Sequence, residues 1–332
     1  MRSLIIAIVV SVFGLPVMTA VADEIVVYSA RKEHLVKPLF DEFEKETGTS
    51  VKYITDKAGP LLQRLKAEGK RSPADLLITV DAGNLWHAAQ EGVLQPVKSD
   101  VLDQRVPEHL RDPQGRWYGV TVRARTIVYN TQNVTDAELT TYEDLAGEKW
   151  KGRLCLRTSK KVYNQSLVAM MISRHGEEKT GQIVKGWVDN LALPPFSNDT
   201  KTIQAVQSGQ CDVAIVNTYY FGRLEDKGES QNAALFWPNQ DSSGVHVNIS
   251  GIGLTSHAPH KEKAVKFLEW MVSDKAQSML ANLNMEYPVA SSVESSGIVK
   301  GWGSFKSDDI NLAEAGRLQA QAVRLMDKVG YK

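Results

Sequence analysis

Two adjacent phenols, Tyr219 and Tyr220, follow the short β-type run Val213-Ala214-Ile215-Val216 and precede Gly222, a turn residue. Neighbours on a regular strand point to opposite faces, so a strand carried through both tyrosines would separate their hydroxyls. If the strand ends at Asn217, irregular backbone beyond it can aim both oxygens into one cleft. Phenolates converging on one point suit a hard, highly charged cation, Fe³⁺ above all. An isolated tyrosine pair also fits a plainer arrangement, with one ring in the core and the other on the surface. A free phenol titrates near pH ~10, so at neutral pH the metal itself must displace each proton. Affinity must then fall on acidification, because protons compete for the ligand atoms.

Other side chains could complete such a site. Tyr28 closes the first apolar run, where its hydroxyl either reaches a cleft floor as a fourth donor or stays a core group. Arg31 follows that run, and Arg123 and Arg125 lie further along. A guanidinium can hold a carbonate-like anion through two parallel hydrogen bonds, or form an ion pair within the protein. The histidines, at 34, 87, 109, 175, 246, 257 and 260, form no H-E-x-x-H pair. No G-x-S-x-G elbow and no phosphate-binding loop occurs, so the enzyme reading is set aside. Cys155 and Cys211 are too few and too far apart for a thiolate metal site.

Positioning these groups requires export and a large fold. Residues 1–22 read as a secretory leader: Arg2 is basic, Leu4 to Leu15 is an apolar run, and Ala20-Val21-Ala22 is a small-residue cleavage site before Asp23. That run is too short for a comfortable membrane span, a retained N-terminal anchor being the alternative, and no later stretch approaches the ~20 apolar residues a span requires. An even pair of cysteines in an exported chain is expected to form one disulfide, Cys155–Cys211. Basic and acidic residues number 39 each, which gives no electrostatic reason to expect nucleic acid or an anionic membrane as partner. The mature length favours two lobes over a single core.

The predicted elements begin with a strand at 24–29, then a helix carrying Leu35, Leu39, Phe40 and Phe43 and stopped by Gly48. Strands at 51–54 and 75–80 alternate with helices ending at Gly69 and Gly92, the pattern of an open, mainly parallel sheet. A strand around Ile127-Val128-Tyr129 leaves this lobe. Helices through 165–175, 178–191 and 200–208 and a strand at 212–216 build the next. Val245-His246-Val247-Asn248-Ile249 alternates as a half-buried strand would, and a long amphipathic helix ends the chain. Two crossings, near 120–126 and 246–252, predict a two-strand hinge.

The segments Phe43-Glu44-Lys45-Glu46-Thr47-Gly48, Ser72-Pro73-Ala74-Asp75-Leu76, Lys263-Ala264-Val265-Lys266-Phe267-Leu268 and Glu286-Tyr287-Pro288-Val289, in this order, resemble the periplasmic solute-binding proteins of ABC importers. Val162-Tyr163-Asn164-Gln165-Ser166-Leu167-Val168-Ala169 and Asn217-Thr218-Tyr219-Tyr220 resemble the metal-site motifs of the ferric-iron-binding branch. The resemblance covers the mature chain and implies an α/β, two-lobe type II binding-protein fold. Its lobes would be 23–123 plus about 250–285, and 124–249 plus about 286–332. It implies capture of Fe³⁺ in the periplasm by Tyr163, Tyr219 and Tyr220, with Tyr28 or a small anion such as carbonate completing the shell. Arg31 and Arg123 would hold that anion. A monomer delivering iron to the permease and ATPase subunits of an inner-membrane importer follows, with no nucleic-acid partner and no membrane insertion. A binder of an organic cation or oxyanion on the same fold is the alternative. The sequence departs from part of the family after Arg31, where some members carry histidine or histidine–tyrosine. Here Lys32 and Glu33 follow, with His34 one step later. A carboxylate ligand of other members would fall near Val80, which cannot coordinate, and neighbouring Asp81 is expected to cap a helix.

Overall fold

A computed structural model describes residues 23–295 and 297–332, so the leader read at 1–22 lies outside the described residues. The chain enters as β1 (Glu24–Ser29) and α1 (Glu33–Thr47). Buried Val36, Leu39, Phe40 and Phe43 make the apolar stripe of α1, and Gly48, at φ 72°, ends it. β2 (Ser50–Thr55), α2 (Ala58–Glu68), β3 (Leu76–Val80) and α3 (Ala82–Gln90) continue the alternation. Asp81 turns the chain between β3 and α3 at φ 76°, and its carboxylate caps the helix by accepting from the Gly83 amide at 2.9 Å. β4 (Leu94–Gln95) and α4 (Asp100–Arg105) precede a 13-residue strand, β5 (Tyr118–Asn130).

The second half is built from β6 (Leu154–Cys155), α5 (Val162–His175), α6 (Glu177–Asp189), α7 (Asp199–Gln207), β7 (Val213–Asn217), α8 (Thr218–Asp226) and β8 (Ala233–Phe236). β9 (Val247–Thr255) returns to the first half, followed by α9 (Lys261–Met271), α10 (Asp274–Asn284) and β10 (Tyr287–Pro288). The chain ends with α11 (Gly297–Gly301), α12 (Ala313–Arg317) and α13 (Gln319–Lys328). No helix among the described residues is long and apolar enough to cross a membrane.

Strands run in the order β2-β1-β3-β9-β5-β7-β6. Pairing is parallel at the flanks, β2-β1-β3 and β7-β6, but antiparallel through the middle. The sheet is therefore mixed rather than mainly parallel. The cause is the double crossing: β5 and β9 travel between the halves in opposite directions and must lie antiparallel. β5 pairs with β9 from Tyr118 to Ala124 and with β7 from Arg125 to Tyr129, so one strand joins both halves. A bulge interrupts the first ladder, because Gly119 faces Gly251 while Thr121 faces Ser250. Beyond it, Thr121, Arg123 and Arg125 share one face of the pleat, and Val122 and Ala124 share the other.

Two further expectations change. The strand read as half-buried is buried along its whole length as β9, because helices cover both faces of the central sheet. The single C-terminal helix is broken at Leu318 into α12 and α13. Gly316 lets α12 lie directly on Trp86 of α3, where an added Cβ would come within 2.4 Å of the tryptophan. The disulfide Cys155–Cys211 ties β6 to the link between α7 and β7, with the Cα atoms 5.9 Å apart.

Candidate metal centre

Tyr163 is the second residue of α5, and Tyr219 and Tyr220 are the second and third residues of α8. The strand before them ends at Asn217, as its composition predicts, but the backbone beyond is the first turn of a helix, not an irregular loop. Helical neighbours are about 100° apart rather than 180°. Tyr219 and Tyr220 consequently share one side, their ring centroids 4.3 Å apart and tilted by 35°. Neither helix carries a side-chain cap or an acidic residue in its first turn. Both thus present unsatisfied amides and the positive end of a dipole near the phenols, worth about 0.3–1 kcal/mol per helix to a phenolate.

The three phenols act on one another. Burial pushes the Tyr163 phenol above its ordinary value despite the opposing charge of Arg123. Tyr219 is pushed well above it by burial first, then by the charges Tyr163 and Tyr220 would carry. Proximity of the two hydroxyls favours ionisation of Tyr163 and disfavours that of Tyr219. Around this group stand guanidiniums. Arg123 and Arg157 lie 5.6 and 5.3 Å from the Tyr163 ring, and Arg223 lies 5.0 and 5.7 Å from the rings of Tyr219 and Tyr220. Arg157 also reaches the Tyr220 hydroxyl at 3.5 Å.

A buried carboxylate holds this side together. Asp199, at the start of α7, accepts from Arg125 and from the Asn217 amide, both at 3.1 Å, and lies 3.6 Å from Arg157. Asn217 in turn accepts from Arg125 at 3.0 Å and donates to the Tyr219 hydroxyl at 3.4 Å. Neither Arg157 nor Asp199 was legible beforehand, since neither belongs to a motif quoted above and the contacts of Arg157 with Tyr220 and of Asp199 with Arg125 join residues 63 and 74 apart in the chain.

Two predicted residues have other partners: Tyr28 lies apart from the phenols, while Arg31 stays beside Arg123, both donating to Ser250. Tyr28 is fully buried, and its hydroxyl donates to Glu68 at 2.9 Å beneath Arg64 of α2, so the structure does not bring it to the other phenols. Both faces of β1 are covered at that point, and alternation could not decide which way the ring turns. Arg31 is engaged by the protein itself: it donates to Ser250, to Asn284 at 2.8 Å and to Glu286 at 3.1 Å. Arg123 keeps a buried Nη2 that has no partner among the described residues.

A two-lobe fold with a phenol cluster at paired helix N-termini defines a class, and comparison with known proteins gives the same one. The chain belongs to the bacterial extracellular solute-binding proteins, whose family model matches residues 71–301. It is 47% identical over 316 residues to iron uptake protein A1 of Synechocystis sp., covering 93% of this chain and 88% of that protein. Among solved structures it is similar to a Trichodesmium IdiA (FutA) protein in complex with iron and citrate, with a TM-score of 0.90, 45% identity, and coverage of 93% and 100%. Ferric iron-binding protein A of Mannheimia haemolytica in an open conformation gives 0.88 and 39%, with coverage of 93% and 99%.

Proposed function

We propose that the protein captures ferric iron outside the cytoplasmic membrane and passes it to an ABC importer, acting as a binding protein rather than an enzyme. Convergence of Tyr163, Tyr219 and Tyr220 carries this reading. Three phenolates balance the charge of Fe³⁺, and the surrounding guanidiniums lower the electrostatic cost of forming them. The same guanidiniums disfavour an organic cation in an aromatic box, because Arg157 and Arg223 already occupy the space over the rings. The relatives named for iron uptake and ferric-iron binding support the assignment.

Arg123, with its free Nη2, and Arg157 beside Tyr220 are the residues that would hold a small synergistic anion such as carbonate. The lobes proposed are 23–123 plus about 250–285, and 124–249 plus about 286–332, hinged where β5 and β9 cross. The periplasm is the proposed compartment, with permease and ATPase subunits as partners and a monomer as the acting species.

Visible spectroscopy after addition of ferric citrate tests the assignment. Iron–phenolate charge transfer should colour the protein red to orange. Tyr163→Phe, Tyr219→Phe and Tyr220→Phe should each bleach or shift the band and weaken iron binding. Unchanged colour and affinity in all three variants would overturn the site.

A further inference from the structure

Between Arg31 and Arg123, where an exogenous anion was expected, stands an anion of the protein's own. Glu286, in the link between α10 and β10, is 3% exposed. Its Oε2 accepts from Arg31 at 3.1 Å and from the Thr121 hydroxyl at 2.6 Å, and its Oε1 lies 3.9 Å from Arg123 Nη1. Burial would push this carboxyl up, but the charges of Arg31 and Arg123 and the Thr121 hydroxyl hold it below the ordinary carboxylate range. Arg31 directs its remaining Nη donors to Ser250 and Asn284. Arg123 is less committed: Nη1 donates to Ser250 at 3.1 Å, while Nη2 is buried with no partner among the described residues and the group lies beside the Tyr163 ring. Both Nη atoms of Arg31 are thus committed within the protein, leaving only its buried Nε unpartnered among the described residues, whereas Arg123 has a whole Nη to offer an outside anion.

We propose that Glu286 is a tethered competitor for the anion pocket, holding Arg31 within the protein and thereby setting how strongly a small exogenous anion joins iron at the tyrosines. Only that consequence for iron rests on the function proposed above; the competition itself does not. A tethered carboxylate loses no translational freedom on pairing, so it outcompetes a free anion of similar chemistry. Its single negative charge also limits the anion that can enter, because a multiply charged oxyanion beside it would meet like-charge repulsion. Thr121, on the β5 face that carries Arg123, keeps the competitor in place.

Calorimetric titration of inorganic phosphate into the iron-free protein tests the idea. Glu286→Gln keeps the shape and removes the charge, and should tighten phosphate binding about tenfold, the equivalent of one charge-assisted hydrogen bond regained. Adding Arg31→Met to that variant should abolish the gain. A folded Glu286→Gln protein with unchanged affinity overturns the proposal, as does a gain that survives Arg31→Met. If Glu286→Gln does not fold, Thr121→Val decides: loosening the carboxylate should tighten phosphate about threefold, and no change overturns the proposal. Because the titration uses iron-free protein, failure of the tyrosine assignment would show as missing iron colour and leave this outcome separate.

Discussion

Iron loading should release about three protons per metal, one from each phenol that becomes a ligand. Burial holds the phenols of Tyr163 and Tyr219 above their ordinary value, so neither is ionised at neutral pH in the iron-free protein. Nothing is released until the metal arrives. The stoichiometry fixes the pH dependence: three protons exchanged for one iron weaken binding about 1000-fold for each pH unit of acidification, or about 4 kcal/mol. The assay is a weakly buffered titration with ferric nitrilotriacetate, corrected by an acid titration of metal-free nitrilotriacetate for the protons the freed chelator takes up. Tyr163→Phe should lower the count to about two, and Tyr163→Phe with Tyr220→Phe to about one. Calorimetry in buffers of different ionisation enthalpy gives an independent count. Release of one proton or fewer by the parental protein, or a count indifferent to the Phe variants, would refute phenolate ligation.

Two further outcomes concern stability. The Cys155–Cys211 bridge spans a sequence separation of 56, so replacing both cysteines with serine should cost up to about 4 kcal/mol in denaturant unfolding while the iron colour persists. Peptide mapping without reductant should recover the linked pair, and two free thiols would contradict it. His246 is kept neutral by burial and by Arg125 and Arg123, which lower its pKa from 6.5 to about 3. The unfolded chain takes up this proton below ~6.5 while the fold refuses it, so stability falls with pH through that window by up to about 1.4 kcal/mol per unit. His246→Gln should flatten the pH–stability curve by about one proton; an unchanged slope between pH 6 and 4 would contradict the assignment.

The site was legible where it depends on local sequence and hidden where it depends on the return of distant chain. Tyr163, Tyr219 and Tyr220 follow recognisable segments, and the end of β7 at Asn217 could be read from composition. That the next residues are helical could not, because Thr-Tyr-Tyr-Phe has weak helix propensity and is held by packing of Phe221 and Leu224 in the second core cluster. The mixed sheet was misjudged because periodicity gives strands but not their direction. Glu286 lies in a segment quoted for family resemblance, yet its meeting with Arg31, 255 residues away, is a property of the folded hinge alone. Tyr28 shows the converse limit: a residue type suited to the chemistry, at a plausible strand end, turned by the fold toward Glu68.

The bulge ahead of Thr121 acts as a phasing device. One extra residue in β5 sets which side of the ribbon carries Thr121, Arg123 and Arg125 and which carries Val122 and Ala124. The polar row touches Glu286, the Tyr163 ring and Asp199 in turn, whereas Val122 and Val247 line an apolar groove elsewhere on the hinge. Pairing that ran straight through, with Val120 facing Ser250 and no residue removed, would slip every later residue by one and invert the row, sending the arginines toward the greasy groove and small apolar side chains toward the tyrosines. Every tyrosine would remain in the sequence, and the cluster would still be stripped of its counter-charges. Loss of metal capture could thus arise from a frame error in the ribbon beneath the ligands, with no ligand altered.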